Sequence, residues 1–300
     1  MPTQMKVRIL FLGLFTAALV AIFWDPLKSL VEITSKSPQY SHIILVPLIS
    51  LFLVLLERRK IFTDLRYSWV AGALGVLLGV ALYMLSRVYS GGLSPNDALS
   101  LAIASFVVIW EAGVLIFFGA TAFRRGLFPW LSLLFIVPFP DFLVENFLLA
   151  IRGGSAEVSY AIFRIVGVPV FRDGWVFSLP GVSIEVAREC SGIHSSIALL
   201  IVALIAGHLF LRRFWKKAIL TGFIVPIVSI TNGLRITVIT LLAVYVDRRF
   251  LDSRLHHQGG AIFFGLALLL LALPLLWLGK AEAKAGSTSA KPSEVGRLSP

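Results

Sequence analysis

The amino-acid sequence predicts an all-α polytopic membrane protein with about eight transmembrane helices and one outer segment that combines an amphipathic part with a β-hairpin. Composition is the first reason, because 58% of the 300 residues are hydrophobic and only 14% are charged, against roughly 25% in soluble domains. The second reason is that long apolar runs recur along the chain. The third is that the net charge of +11 comes from one set of connecting segments.

Each transmembrane helix is predicted from an apolar run close to the roughly 20 residues that cross a bilayer. The second and fifth runs are short, so they are tilted, extended into their flanks or partly re-entrant. Pro138 and Pro140 should stop or kink the fifth helix. The predicted spans lie at about residues 9–24, 42–56, 69–86, 98–119, 127–140, 191–211, 218–246 and 260–279.

The distribution of charge predicts the orientation of these spans. With the N-terminus inside, the inner segments carry sixteen bases and four acids, whereas the outer segments carry ten bases and eleven acids. The positive-inside rule then places both termini in the cytoplasm, with the chain in the cytoplasmic (inner) membrane. The basic excess has a membrane explanation, so no nucleic-acid partner is predicted.

The longest outer segment, about residues 141–190, is predicted to have two parts. The first has helical apolar spacing with interspersed charges, which indicates one or two amphipathic helices broken at Gly153-Gly154. The second is rich in Val and Phe and has turn signals at Asp173-Gly174 and Pro180-Gly181, which predicts a small β-hairpin.

A single transmembrane domain is predicted for residues 1–280, followed by a disordered cytoplasmic tail at 281–300, where hydrophobicity is low. Gly75 and Gly79 have the spacing of small residues that pack helix against helix.

Cys190, the only cysteine, is predicted at the outer end of the sixth span, at or near the helix N-cap. Unpaired N–H groups and a partial positive charge at that position favour the thiolate, the form that a nucleophilic cysteine needs. A single cysteine excludes an intramolecular disulfide. From position alone, an inert buried cysteine is the alternative.

Arg235 lies inside the seventh predicted span, toward its outer half. An arginine there costs at least about 2.5–3.5 kcal/mol to insert, so it is expected to face the helix bundle and meet a partner or a substrate. Its forked guanidinium can stabilise an oxyanion or bind a carboxylate. A structural ion pair, or a shorter span from which the side chain reaches outward, is the alternative.

His256 and His257 stand at the outer start of the eighth predicted span. Histidine is the usual general base or acid near neutral pH, and an interfacial histidine without a task is the alternative. The pair has neither HExxH nor CxxC spacing, so neither a metal nor a cofactor is predicted.

The topology derived from charge brings Cys190, Arg235 and His256 to the same outer leaflet from three different parts of the chain. A nucleophile, a cation and a base on one face make a Cys-His active site the hypothesis. Weaker candidates are Glu111 inside the fourth predicted span, His42 at the start of the second, and Ser191, Ser195 and Ser196 beside His194.

At these positions the sequence resembles the exosortase/archaeosortase family. The matching pieces follow the family order: SHIILVPLIS at 41–50, VPFP at 137–140, GVPVFRDGWVFSLPGVSIEVA at 167–187, ECSGIHSS at 189–196, NGLRI at 232–236, and His256 followed by Gly260 and Phe263-Phe264. Two residues depart from the pattern, His194 where Arg is common and Ile43 where Gly is frequent, and both bear on the subfamily.

The resemblance implies a membrane cysteine protease or transpeptidase with Cys190, Arg235 and His256 as its catalytic set, while His257 is one residue out of the family spacing. It implies cleavage through a thioester on the outer face of the membrane. The implied partners are exported proteins with a C-terminal sorting tail, which has a Pro-Glu-Pro-like motif, a membrane helix and a basic end. Membrane lipids are also predicted partners; the oligomeric state is not indicated.

Two other functions stay open from the sequence. A transporter or assembly subunit in exopolysaccharide export would need Arg235 and Glu111 to line a path, and transporters often contain repeated halves, which this sequence lacks. A membrane hydrolase would use water as the acceptor.

Overall fold

A computed structural model describes residues 3–89, 91–186, 193–247, 249–250 and 260–289. Within these ranges the chain is mainly helical, and backbone contacts divide it into two compact units, Met1–Glu145 and Asn146–Pro300. The helices are α1 (Thr3–Ile22), α2 (Trp24–Lys36), α3 (His42–Ile61), α4 (Trp69–Val88), α5 (Pro95–Arg125), α6 (Leu127–Leu131), α7 (Asp141–Val166), α8 (Ile193–Phe210), α9 (Phe214–Gly222), α10 (Ile224–Tyr245) and α11 (Gly260–Ser289).

The polytopic all-α fold is confirmed, and six or seven of the roughly eight predicted spans are found as candidate spans among the described residues. By length and composition, the described residues hold six candidate spans: α1, α4, α5, α8, α9 together with α10, and α11. The predicted span at 42–56 is helical, as part of α3. Its apolar stretch stops before Glu57, however, and three basic residues follow Glu57 within the same helix. These charges keep α3 out of the set of full spans.

The predicted span at 127–140 is wrong as a single helix. After α6 the chain forms a 3-10 helix, Ser132–Ile136, and α7 begins at Asp141. The 3-10 helix ends before Pro138, as predicted, because proline restricts the residue before it, and Val137 is accordingly extended at φ −69° and ψ 123°. The α-helix itself ends earlier, at Leu131. The chain bends by 91° between Leu127–Ile136 and Asp141–Val166. Counting this pair as one broken span raises the number of candidate spans to seven.

In the N-terminal unit, α4 packs closely on α5 through glycine. Gly75 and Gly79 face Ala112 and Ile109 of α5, and the Ser105 hydroxyl donates a 2.7 Å hydrogen bond to the Gly79 carbonyl. A side chain at either glycine would collide with α5, so both let the helices approach closely. This confirms the predicted packing role.

In the C-terminal unit, α7, α8, α9, α10 and α11 contribute to a common core. Its most buried members include Ile151, Leu199, Leu220, Ile224 and Leu271. Each comes from a different helix, so the core ties together the elements that surround Arg235.

A two-stranded hairpin was predicted, and the structure has a third strand. The chain forms a three-stranded antiparallel sheet, β1 (Phe171–Asp173), β2 (Val176–Leu179) and β3 (Val182–Glu185). Both predicted turns are confirmed, with Gly174 at φ 58° and Gly181 at φ 78°, a backbone region that favours glycine.

The structure differs from the prediction at two further places. α7 continues through Gly153 and Gly154 without the predicted break, since a helical glycine costs only about 1 kcal/mol and Gly154 makes room for Ser229 of α10. α11 continues to Ser289, into the segment predicted as a disordered tail, and residues 290–300 lie outside the described ranges.

Candidate active site

Arg235 is the member of the predicted catalytic set that the structure describes. Cys190, His256 and the second-choice His257 lie outside the described residues. Arg235 is half-buried in α10 and lines a small cavity of about 30 Å³. The other lining residues are Ser195 of α8, Val228, Thr231 and Asn232 of α10, and Gly260, Phe263, Phe264 and Ala267 of α11.

Two helix starts meet α10 at this cavity. α8 begins at Ile193 and places Ser195 on the cavity wall, while α11 begins at Gly260, which lines the cavity itself. In the sequence, Cys190 comes three residues before α8 and His256 comes four residues before α11. The helices that frame Arg235 are therefore the ones that follow the predicted nucleophile and base along the chain.

The cavity combines hydrogen-bonding side chains with an aromatic wall. Thr231, Asn232 and Arg235 lie on α10, and Phe263 and Phe264 lie on α11. A guanidinium beside apolar rings is only partly shielded by water, which strengthens its attraction for a negative charge. This surrounding suits the binding of a carboxylate or of an oxygen that becomes negative during a reaction.

The position of α10 is held by hydrogen bonds to α7. The Asn232 amide donates to the Ser155 hydroxyl at 3.0 Å, and the Ser159 hydroxyl donates to the Gly233 carbonyl at 3.0 Å. All four residues are buried. Asn232 and Arg235 are three residues apart on one helix. The hydrogen bond at Asn232 therefore also helps to fix the position of Arg235.

Gly233 allows the two helices to touch. A β-carbon there would lie 2.7 Å from the Val158 side chain and 2.9 Å from the Ser155 carbonyl, both too close for non-bonded carbon. Asn232 and Gly233 of the NGLRI motif thus contact α7, while Arg235, two residues later, lines the cavity.

The small sheet is attached to α7 just before the segment that contains Cys190. Arg152 of α7 lies over the Trp175 ring, 3.8 Å from its centre, and pairs with Glu185 of β3 at 2.8 Å. Arg152 also donates to the Val186 carbonyl, and Val186 is fully buried. The chain therefore leaves an anchored point directly before residue 187.

Sequence reasoning missed the residues on α7. Ser155, Ser159 and Arg152 lie in a segment predicted only as an amphipathic interfacial helix. Ser155 and Ser159 have the spacing of small residues at helix contacts, a signal that could have indicated the packing of this face.

Among the described residues, Ser195 is the weaker candidate that lines this cavity. Glu111 is buried in α5 of the N-terminal unit, and its Oε1 accepts no hydrogen bond from the described residues. His42 starts α3, where its Nδ1 lies 3.1 Å from the Gln39 carbonyl oxygen. His194 is exposed and Ser196 is buried in the first turn of α8, and Ser191 is outside the described residues.

A comparison with protein families identifies the chain. The family model for the transmembrane exosortases (Exosortase_EpsH) matches residues 33–273, most of the sequence and all of the C-terminal cavity described above. Neither the curated proteins nor the solved structures contain a match to this chain. The match covers well over half of the 300 residues, and the chain therefore belongs to the transmembrane exosortase family.

Proposed function

We propose that this chain is a membrane cysteine transpeptidase that cleaves C-terminal sorting tails from exported proteins on the outer face of the cytoplasmic membrane. Membership of the exosortase family supports the reaction class. The observation that carries the residue assignment is the cavity at Arg235, which is framed by the helices that follow Cys190 and His256.

The length of the intervening chain supports this assignment. Cys190 precedes Ser195 by five residues, and His256 precedes Gly260 by four. Ser195 and Gly260 both line the cavity with Arg235. These short separations in sequence support the choice of Cys190 and His256 as the nucleophile and the base.

The proposed reaction begins at Cys190. His256 takes the thiol proton, and the thiolate attacks the carbonyl carbon of the peptide bond at the tail. The C–N bond then breaks, His256 returns the proton to the leaving amine, and the exported protein is held as a thioester. An acceptor nucleophile attacks that thioester, releases the product and restores the thiol.

Arg235 is assigned to the charge that develops on the carbonyl oxygen. A half-buried guanidinium binds an oxyanion more strongly than one in bulk water, and a group already held in place needs no reorganisation. The Asn232 and Gly233 contacts to α7 support that role, because they hold the helix that carries Arg235.

The proposed orientation follows the charge distribution. Basic residues concentrate on segments that would face the cytoplasm, which leaves the starts of α8 and α11 on the outer side. The partners are exported proteins whose tails are anchored in the same membrane. Anchoring enzyme and substrate in one bilayer confines both to its plane and raises their effective concentration.

The test is co-expression of the full chain with a tailed substrate, followed by mass spectrometry of the processed protein. Cys190→Ala should abolish cleavage. Arg235→Ala should lower the single-turnover rate by about 10²–10³, the usual effect of removing an oxyanion partner. Full activity of Cys190→Ala would exclude the mechanism, and full activity of Arg235→Ala would exclude that residue from it.

Matched variants separate chemistry from folding. His256→Ala should inactivate, whereas His257→Ala, the neighbouring change, should retain most of the activity. Arg164→Ala removes an exposed arginine of α7 that does not line the cavity and should leave cleavage intact. The reverse ranking of the two histidine variants would move the general base to His257.

The transporter alternative rests on Arg235 and Glu111 as charges in a path. Under that function Glu111→Gln should block export of polysaccharide and Cys190→Ala should be silent.

The hydrolase alternative differs in its product. Water as acceptor adds one hydroxyl to the new C-terminus, whereas transpeptidation adds the mass of a second nucleophile, so the same spectra distinguish them.

A further inference from the structure

A half-open apolar groove runs along α3 in the N-terminal unit. It has a volume of about 530 Å³ and is bordered by α1, α3, α5 and the segment after α6. Residues that define it include Met5, Ile9, Pro47, Val54, Arg58 and Trp130. We call it the α3 groove.

The α3 groove opens on a surface that faces hydrocarbon in a membrane. Its lining residues Ile9, Leu51 and Leu55 have exposed fractions of 46%, 55% and 52%. They belong to α1 and α3, so the opening lies along these two helices. Lipid chains therefore have direct access to it.

Two polar side chains of the wall are engaged within the protein, and the indole N–H of Trp130 is buried with no hydrogen-bond partner among the described residues. The Ser50 hydroxyl donates to the Pro129 carbonyl at 2.7 Å, and the Trp110 indole N–H donates to the Thr16 hydroxyl at 2.9 Å. What these residues present to the groove is carbon, so an occupant needs an apolar body.

One end of the α3 groove carries a positive charge. Of the described residues that line the groove, Arg58 carries a charge and none is a carboxylate. The neighbouring Glu57 pairs with Lys60 at 3.4 Å. Among the described residues, no carboxylate pairs with Arg58. A free guanidinium at the mouth of an apolar groove attracts an anionic head group on an apolar chain.

Dimensions decide between a lipid chain and a helix. From Pro47 to Arg58 the groove follows eleven residues of α3, or about 16 Å, which is close to half of the roughly 30 Å hydrocarbon core. Dividing about 530 Å³ by about 16 Å leaves a mean cross-section of about 33 Å². A helix about 10 Å across needs roughly 80 Å², so a second helix does not fit.

From these features we infer that the α3 groove binds one acyl chain of an anionic phospholipid, with Arg58 holding the phosphate of its head group. The site is one leaflet deep. It lies in the N-terminal unit and does not depend on the proposed reaction at Arg235.

The experiment is native mass spectrometry of the full chain taken from vesicles with equal parts of phosphatidylglycerol and phosphatidylcholine of identical acyl chains. The wild type should retain one phosphatidylglycerol per chain, with a preference over phosphatidylcholine of about fivefold, the effect expected of one basic residue at an anionic membrane surface. Equal retention of the two lipids would overturn the proposal.

Two variants locate the binding. Arg58→Ala should lose the preference, whereas Arg59→Ala should keep it, because Arg59 is the adjacent exposed base and does not line the groove. Val54→Trp should fill the groove and reduce the retention of both lipids. Equal losses in the two arginine variants would show general surface attraction and exclude the site, and full retention in Val54→Trp at wild-type helical content would exclude the groove.

Discussion

The side-chain amide of Asn232 on α10 donates a 3.0 Å hydrogen bond to the hydroxyl of Ser155 on α7, and both residues are buried. A buried donor without an acceptor costs free energy, so this pair specifies how the two helices sit. Because Arg235 is almost one turn further along α10, the bond connects helix packing to the proposed chemistry.

The first prediction concerns this bond. Asn232→Ala should destabilise the protein by about 1–3 kcal/mol, since it leaves Ser155 buried without its donor. It should also slow tail cleavage in a single turnover, because the helix carrying Arg235 loses its hold. Thr240→Ala is the matched control, because the Thr240 hydroxyl donates to the Ile236 carbonyl within the same helix. Equal effects of the two variants on cleavage would contradict the positioning role.

The second prediction concerns the close contact at Gly233. Gly233→Ala should lower the thermal midpoint, because a β-carbon there meets Val158 and the Ser155 carbonyl. Gly222→Ala at the end of α9 meets nothing within 4 Å and should be neutral or slightly stabilising. Differential scanning fluorimetry in detergent measures both, and a neutral Gly233→Ala would mean that the helices do not need this approach.

The third prediction concerns the attachment of the sheet. Arg152→Ala should expose the sheet to protease, because its charged hydrogen bonds to Glu185 and the Val186 carbonyl are lost. A hydrogen bond to a charged group contributes about 1.5–3 kcal/mol. The Arg152 side chain is only 11% exposed, so the effect should exceed that of a surface ion pair. Arg164→Ala is the control, and limited proteolysis at residues 171–186 is the measurement.

The fourth prediction concerns pH. Tyr40, in the 3-10 helix Pro38–Tyr40, donates a 3.1 Å hydrogen bond to Asn96, which in turn donates to Asp141 at 2.8 Å. Burial, and then the negative charge of Asp141, raise the pKa of Tyr40 above its ordinary value near 10. The folded state therefore binds the phenolic proton more tightly than the unfolded state.

Stability from Tyr40 should accordingly be present below pH 10 and be lost as the pH rises through the raised pKa. Unfolding midpoints followed from pH 8 to about 11 should fall less steeply in Tyr40→Phe than in the wild type. Tyr245→Phe, at the end of α10, should follow the wild type. Parallel curves for all three proteins would exclude the effect.

The sequence predicted the fold class, the two turns of the sheet and the helix stop before Pro138 well. Each of these depends on local chemistry: apolar length, positive φ at glycine, or the restriction that proline places on the residue before it. Two of the eight predicted spans, 42–56 and 127–140, are not single candidate spans among the described residues, because an apolar run does not show whether the backbone continues straight. At residues 127–140 the backbone bends instead of continuing as one helix. In α3 the charged residues at the C-terminal end keep the helix from being counted as a full span.

The site was predictable only in part. The sequence by itself determined that Cys190, Arg235 and His256 stand at the ends or inside of apolar segments, and the family match covers all three positions. Only the tertiary structure decided that the starts of α8 and α11 meet Arg235 at one cavity, and that Asn232 and Gly233 hold α10 against α7. The physical reason is that periodicity and hydrophobicity specify which face of a helix is buried, whereas the partner of that face depends on contacts between residues far apart in the chain.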